Sequence, residues 1–391
     1  MNSTPSPWVV ITGGGTGGHI IPALTIAKAF QAAEPNVAVT YVGKTDSMDA
    51  HLAEQHGIPF EGVHFYGMPR PKNWENLKQW LTWGWALLTE TNRWIARFGH
   101  HRPYWVFATG GYVSGPVLLA ALVWKIPMVL HEPDARPGLV NRLLGRFATL
   151  VTVAFSKAIP ALHTHRALIT GNPLRPLVGT LNTDDARCQC FGGALLPDTL
   201  VLLVMGGSQG ARTLNRATIE ALPRLLSNEG VGGKHWAVIL QTGAKDYEAS
   251  LNFLATLTPP EGLHSWLDHP RFKIDAFIEE MPTVLAATNA AVCRSGSMTL
   301  AELAVAGIPA LLVPYPYAAA DHQAHNALAV AHAGAARVVS DSALTAEELL
   351  HHVATCFAID ECRQAMGRAA LALGHPKATE TLVTQLQALL P

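Results

Sequence analysis

WVVITGGGTGGHIIPA, residues 8–23, and TLVLLVMGGSQGARTLNRA, residues 199–217, share one grammar. Each is an apolar strand, a glycine turn and the start of a helix. Around them, short apolar runs alternate with amphipathic stretches. The runs that predict strands in the first half are 8–12, 37–42, 60–65, 105–109, 128–131, 150–154 and 168–170. In the second half they are 237–241, 273–277, 290–293, 310–314 and 337–340, with helices from 347 to 390. This βαβ rhythm implies parallel sheets covered on both faces. The rhythm breaks only at GNPLRPLVGTLNTDDARCQCFGGALLPD, residues 171–198, whose proline, glycine and polar content predicts a linker. The expectation is therefore an α/β chain of two doubly wound domains in series, facing a central cleft. In such sheets ligands sit outside the carboxyl ends of the strands.

Bulk properties agree with that size and class. A chain of 391 residues suits two cores, and 49% apolar residues suffices to fill them. The formal net charge of −1 creates no global field for nucleic acid. The five cysteines, Cys188, Cys190, Cys293, Cys356 and Cys362, are odd in number and lack zinc spacing, which points to reduced thiols. The first residues lack the basic-then-apolar pattern of a signal peptide, and no apolar run is long enough to span a bilayer. The expected compartment is the cytoplasm.

Gly13, Gly15 and Gly18 fit the dinucleotide fingerprint G-x-G-x-x-G. A dinucleotide site also wants an acid at the tip of the second strand. That tip is Gly43-Lys44, with Asp46 only nearby, and no Lys-Ser/Thr follows the glycines to make a P-loop. The loop instead offers helix-start N–H groups to some other anionic ligand. His19, in the first helical turn, is either a packing or capping histidine or a general base. The positive end of a helix favours the neutral imidazole, which can accept a proton.

The second half carries the marks of a nucleotide site. Ser208 and Gln209 sit at the start of a helix, where N–H groups and a hydroxyl can seat a diphosphate. Ser295–Thr299 is a small polar turn opening another helix that bears Glu302. A carboxylate there can accept both hydroxyls of a ribose, or can lie on a solvated face. Asp321, Gln323 and Asn326 follow the strand tip Tyr315–Ala320 and carry groups of the kind that bind sugar hydroxyls.

GGGTGGHIIPA, GGYVSGP at 110–116, LHEPDARPGLVNR at 130–142, GNPLR at 171–175, GGSQGARTLN at 206–215, FIEEM at 277–281, RSGSMTLAELAVAGIPALLVPYP at 294–316 and DHQAHNA at 321–327 together resemble the MurG family. Those bacterial enzymes move N-acetylglucosamine from its UDP derivative to undecaprenyl-diphospho-muramoyl-pentapeptide. The resemblance implies a GT-B fold. Residues 1–174 form the acceptor and membrane-side domain, with a C-terminal helix 376–391 crossing back, and 175–375 bind the UDP-sugar. It implies His19 and Glu132 as the catalytic set. Thr16, Gly17 and Gly18 line the donor-sugar side, and Arg175, Ser208 and Gln209 meet the diphosphate. Ile278 meets the uracil through its backbone, Met298, Thr299 and Leu300 line the nucleotide, Glu302 takes the ribose and Gln323 the N-acetylglucosamine. One motif departs from the pattern. Where the family shows H-E-Q-N, this chain has His131-Glu132-Pro133-Asp134. Asp134 replaces an amide donor with negative charge near a diphosphate.

The implied reaction joins the C4 hydroxyl of the muramoyl sugar to C1 of N-acetylglucosamine with inversion. No metal and no cofactor are expected, since no Asp-x-Asp motif occurs and TDD at 183–185 lies in the linker. The expected partners are UDP-N-acetylglucosamine, the lipid-linked acceptor, an anionic membrane surface at the cytoplasmic face, and other wall-synthesis proteins. Residues 70–102 hold five of the ten tryptophans, namely Trp74, Trp80, Trp83, Trp85 and Trp94, among six Lys and Arg. Leu77, Leu81, Leu88 and Ile95 recur at helical spacing and predict a core face. Trp74, Trp80, Trp83 and Trp85 predict membrane contact. The competing readings are another GT-B glycolipid transferase, a sugar-nucleotide epimerase, an NAD-linked oxidoreductase and a non-catalytic UDP-sugar binder.

Overall fold

A computed structural model describes residues 7–45, 47–67, 77–193, 195–207 and 210–391, with Leu77 described by its backbone alone. The chain forms two compact units, one reaching to Leu174 and joined by Lys377–Pro391, the other Arg175–Pro376.

The first unit runs β1 (Trp8–Thr12), α1 (Gly17–Ala33), β2 (Ala38–Lys44), α2 (Met48–Gln55), β3 (Phe60–Val63), α3 (Leu77–His100), β4 (Val106–Ala108), α4 (Ser114–Val123), β5 (Met128–Glu132), α5 (Leu139–Leu144), β6 (Leu150–Val153) and β7 (Ala167–Ile169). Its seven strands are parallel, in the order β3-β2-β1-β4-β5-β6-β7. Residues of β1 are buried on both faces. Trp8 and Val10 enter a core with Trp94, Phe98 and Val106. Val9 and Ile11 point the other way, to Ile20, Leu24, Phe30 and Trp105. A continuous apolar strand is stable only in this setting, where each Val or Ile contributes about 1.5–3 kcal/mol by leaving water.

The second unit runs α6 (Thr183–Phe191), β8 (Leu200–Met205), α7 (Arg212–Leu225), β9 (Trp236–Gln241), α8 (Tyr247–Leu254), β10 (Phe272–Asp275), α9 (Met281–Ala287), β11 (Ala290–Cys293), α10 (Ser297–Ala306), β12 (Ala310–Leu312), α11 (His322–His332), β13 (Ala336–Val338), α12 (Ala346–His352) and α13 (Asp360–Leu373). Its six parallel strands are ordered β10-β9-β8-β11-β12-β13. In both sheets the first strand lies where the order reverses, and the glycine turn leaves its carboxyl end.

Two expectations need correction. The stretch 171–198 is not only a linker, because it contains α6. The Asn182 side chain accepts from the N–H groups of Asp184 and Asp185, and Gly192 closes the helix in the left-handed region. The acids of TDD therefore start a helix. Of the predicted core face of α3, Ile95 packs against the core but Leu81 and Leu88 do not. Leu81 and Leu88 are 65% and 60% exposed, alongside Trp85 at 73%. The buried stripe is Glu90, Trp94 and Phe98, with Trp83 and Leu87 packed against the core.

The last helix, Ala378–Gln387, belongs to the first unit. Leu382, Val383 and Leu386 join the core beneath α1. Thr379 accepts from the Leu174 N–H at 3.0 Å, and the Gln387 amide donates to Glu34 at 2.7 Å.

Candidate functional site

The first glycine loop divides into a packed half and an open half. A Cβ on Gly13 would lie 1.9 Å from Thr109 Oγ1, and one on Gly14 would lie 2.1 Å from Asp49 Oδ1. Gly15 adopts φ +90°, in the region that favours glycine. Beneath the loop, the Tyr41 hydroxyl donates to the Gly13 carbonyl and to Asp49. Burial and the Asp49 charge hold the Tyr41 phenol well above its usual pKa, so it stays a donor. Gly17 and Gly18 differ. A Cβ on Gly17 would meet nothing within 4 Å, and one on Gly18 only Thr16 at 3.8 Å. Packing within the protein therefore does not account for glycine at 17 and 18. Thr16, exposed, is the N-cap residue. One turn on, Pro22 has no N–H to give the Gly18 carbonyl.

His19 is held from both ends by Thr109. Its Nδ1 lies 2.9 Å from the Thr109 carbonyl, and Thr109 Oγ1 donates to the His19 carbonyl at 2.7 Å. A carbonyl oxygen only accepts, so Nδ1 carries the proton and Nε2 keeps the lone pair. That is the tautomer a general base requires. Sequence reasoning did not find Thr109, although the quoted GGYVSGP begins at the next residue.

Glu132 has a different role from the one expected of it. It is fully buried. Its Oε1 accepts from the Asp134 N–H at 3.0 Å, and its Oε2 from the Gly138 N–H at 3.1 Å and the Asn141 amide at 2.9 Å. The side chain anchors the loop 133–138, with both of its oxygens engaged by protein donors. Burial, with the Asp134 charge beside it, pushes its pKa up to about 8 against those three hydrogen bonds. Neighbouring His131 is buried between Thr152 and Asn172, at 3.0 and 2.9 Å, and burial lowers its pKa to about 4. Asp134 itself is half-buried at the start of the anchored loop.

In the second unit, Ser208 and Gln209 lie outside the described residues, as does Trp74 in the first. Met298, Thr299 and Leu300 form the first turn of α10, half-buried or buried. Glu302, one turn later, has its carboxylate engaged by Arg175. Nε donates to Oε1 at 2.6 Å and Nη2 to Oε2 at 3.0 Å. The diphosphate and ribose candidates are thus brought together. Ile278 N–H donates to Gln241 Oε1 at 3.0 Å. Gln323 accepts from the Tyr315 N–H through Oε1 at 2.9 Å, which orients its amide nitrogen as the remaining donor. Asn326 is a correction. It is fully buried and donates to the Ser295 carbonyl at 3.3 Å, bracing the turn before α10. Among the described residues, no group of three His, Cys, Asp or Glu side chains could hold a metal ion.

Both units match glycosyltransferase family 28. Its N-terminal domain corresponds to residues 9–153 and its C-terminal domain to residues 201–382. The fold and these matches define an α/β glycosyltransferase. A UDP-N-acetylglucosamine–N-acetylmuramyl-(pentapeptide) pyrophosphoryl-undecaprenol N-acetylglucosamine transferase of Desulfitobacterium hafniense is 39% identical over 96% of this chain and 97% of its own. The enzyme of the same name from Moorella thermoacetica is 38% identical over the same shares. The crystal structure of Acinetobacter baumannii MurG superposes with a TM-score of 0.73 at 26% identity, covering 98% of this chain and 100% of that one. The chain belongs to this MurG family of N-acetylglucosamine transferases.

Proposed function

We propose that the enzyme transfers N-acetylglucosamine from UDP-N-acetylglucosamine to the C4 hydroxyl of the muramoyl sugar in undecaprenyl-diphospho-muramoyl-pentapeptide. His19 Nε2 takes the hydroxyl proton as the oxygen bonds to C1. The C1–oxygen bond to the β-phosphate breaks on the opposite face, and UDP leaves with the electron pair. The sugar inverts at C1. The observation that carries this reading is the Thr109 lock on the His19 tautomer, next to the open faces of Gly17 and Gly18. In the second unit, Glu302 takes the ribose, Ile278 the uracil, Gln323 the sugar, and Met298, Thr299 and Leu300 line the nucleotide. Arg175 and the start of α7, including Ser208 and Gln209, stabilise charge on the departing diphosphate without a metal.

The same reading places the enzyme peripherally at the cytoplasmic face of the membrane, in cell-wall synthesis and hence in cell shape and division. No helix among the described residues is long and apolar enough to cross a bilayer. The exposed stripe Leu81, Trp85 and Leu88 on α3 supports interfacial contact. Trp83 contributes less, since it packs on Phe65 and donates to the Tyr66 carbonyl. Flotation with anionic vesicles should be lost when Trp85 and Leu88 become serine. Unchanged flotation removes this stripe as the membrane contact, and a parent protein that does not float removes the membrane assignment.

The deciding test is transfer from labelled UDP-N-acetylglucosamine to a short-chain lipid-linked muramoyl-pentapeptide with EDTA present. Product is expected. Donor binding without product overturns the acceptor assignment, and product only on adding a divalent metal overturns the metal-free mechanism.

A further inference from the structure

Glu302 cannot receive a ribose as it stands. Its side chain is 3% exposed, and both oxygens are held by the forked guanidinium of Arg175, itself 37% exposed. The Arg175 pair joins opposite charges through two parallel hydrogen bonds, whereas ribose hydroxyls would offer the carboxylate two hydrogen bonds from uncharged donors. A nucleoside that displaced Arg175 would exchange an ion pair for hydrogen bonds from uncharged donors and leave the guanidinium with solvent alone. A diphosphate alters that balance, because it offers the released guanidinium a new anionic partner of matching geometry.

We propose that Arg175 is a specificity-determining residue that reserves Glu302 for ligands bearing both a ribose and a diphosphate. It does so by exchanging the carboxylate for the diphosphate when such a ligand arrives. Arg175 thus acts against partial ligands as well as for the complete one, the two routes by which a site discriminates. The inference rests on the nucleotide reading of the second unit given above. It goes beyond that reading in making the ion pair a barrier to nucleosides.

Calorimetric titration of the full chain with uridine, UMP and UDP tests it. UDP is expected to bind the unaltered protein about 100-fold or more tighter than uridine. In Arg175→Ala and Arg175→Gln, UDP should weaken about tenfold while uridine tightens about threefold to tenfold. Tighter uridine binding is the signature that a simple phosphate contact would not produce. Uridine binding that is unchanged or weaker in folded variants overturns the proposal and leaves Arg175 as a phosphate ligand only. Should neither variant fold, the unaltered protein decides, through the NMR signal of the Arg175 Nε–H. It should shift on saturation with UDP, and an unchanged signal overturns the exchange. Failure of UDP to bind the unaltered protein overturns both this inference and the nucleotide reading.

Discussion

At Asp134 a single substitution relative to the family pattern charges the surroundings of a buried carboxyl. Glu132 has a folded pKa of about 8 against an ordinary 4.5, raised first by burial and then by Asp134. A carboxyl raised in this direction stabilises the fold fully below its unfolded pKa and loses that contribution as pH climbs to about 8. Asp134→Asn removes one of the two causes. The melting temperature of the variant should match the parent at pH 5 and exceed it by about 2–4 °C at pH 8. An equal shift at both values would mean that Asp134 acts through something other than Glu132. His19 yields the matching kinetic prediction. His19→Ala should lower turnover by about 10²–10⁴-fold while donor affinity stays within about twofold. Turnover that survives would remove His19 as the base. Thr109→Val keeps the carbonyl that sets the tautomer and loses only the hydroxyl clamp on the His19 backbone, so its loss should be the smaller of the two.

Elements show what could be read ahead of the structure and what could not. Strands such as WVVIT and LVLLVM announce themselves because both faces are buried and nothing polar interrupts them. The turn after each was legible because the glycines stand together. Helix α6 was hidden because TDDARCQCF carries no apolar stripe and is held by a cap and by Arg187 donating to Asn289. Helix α3 misled because it has two apolar stripes, and the one that enters the core includes a buried glutamate, Glu90. At the site, His19 and Ile278 were visible as motif residues. Their partners Thr109 and Gln241 were not, since tertiary hydrogen bonds across tens of residues leave no spacing to detect. The two halves of the glycine loop allow a direct comparison. Gly13→Ala forces a Cβ into Thr109 and should cost about 1–3 kcal/mol of stability. Gly17→Ala meets no protein atom, so it should melt like the parent and lose substrate affinity instead. Equal melting of the two variants would deny the division.

For the whole molecule, the nucleotide-binding candidates all lie in Arg175–Pro376, while His19 lies in the other unit. Removal of residues 377–391 strips Leu382, Val383 and Leu386 from the core under α1. The truncated chain should lose transfer activity and melt in two steps, with the first unit weakened. UDP should still raise the temperature of the second step. A single lowered transition unresponsive to UDP would show that the second unit does not stand alone.

The return of the chain to its first unit also sets an order of events during synthesis. The segment that completes the core around α1 emerges from the ribosome only after all of Arg175–Pro376 has been made. The second unit can therefore finish folding while the half made earlier still waits with an apolar surface uncovered. For that interval the nascent chain is most open to chaperones and to misassociation, and the vulnerable surface belongs to the part of the protein that was translated first.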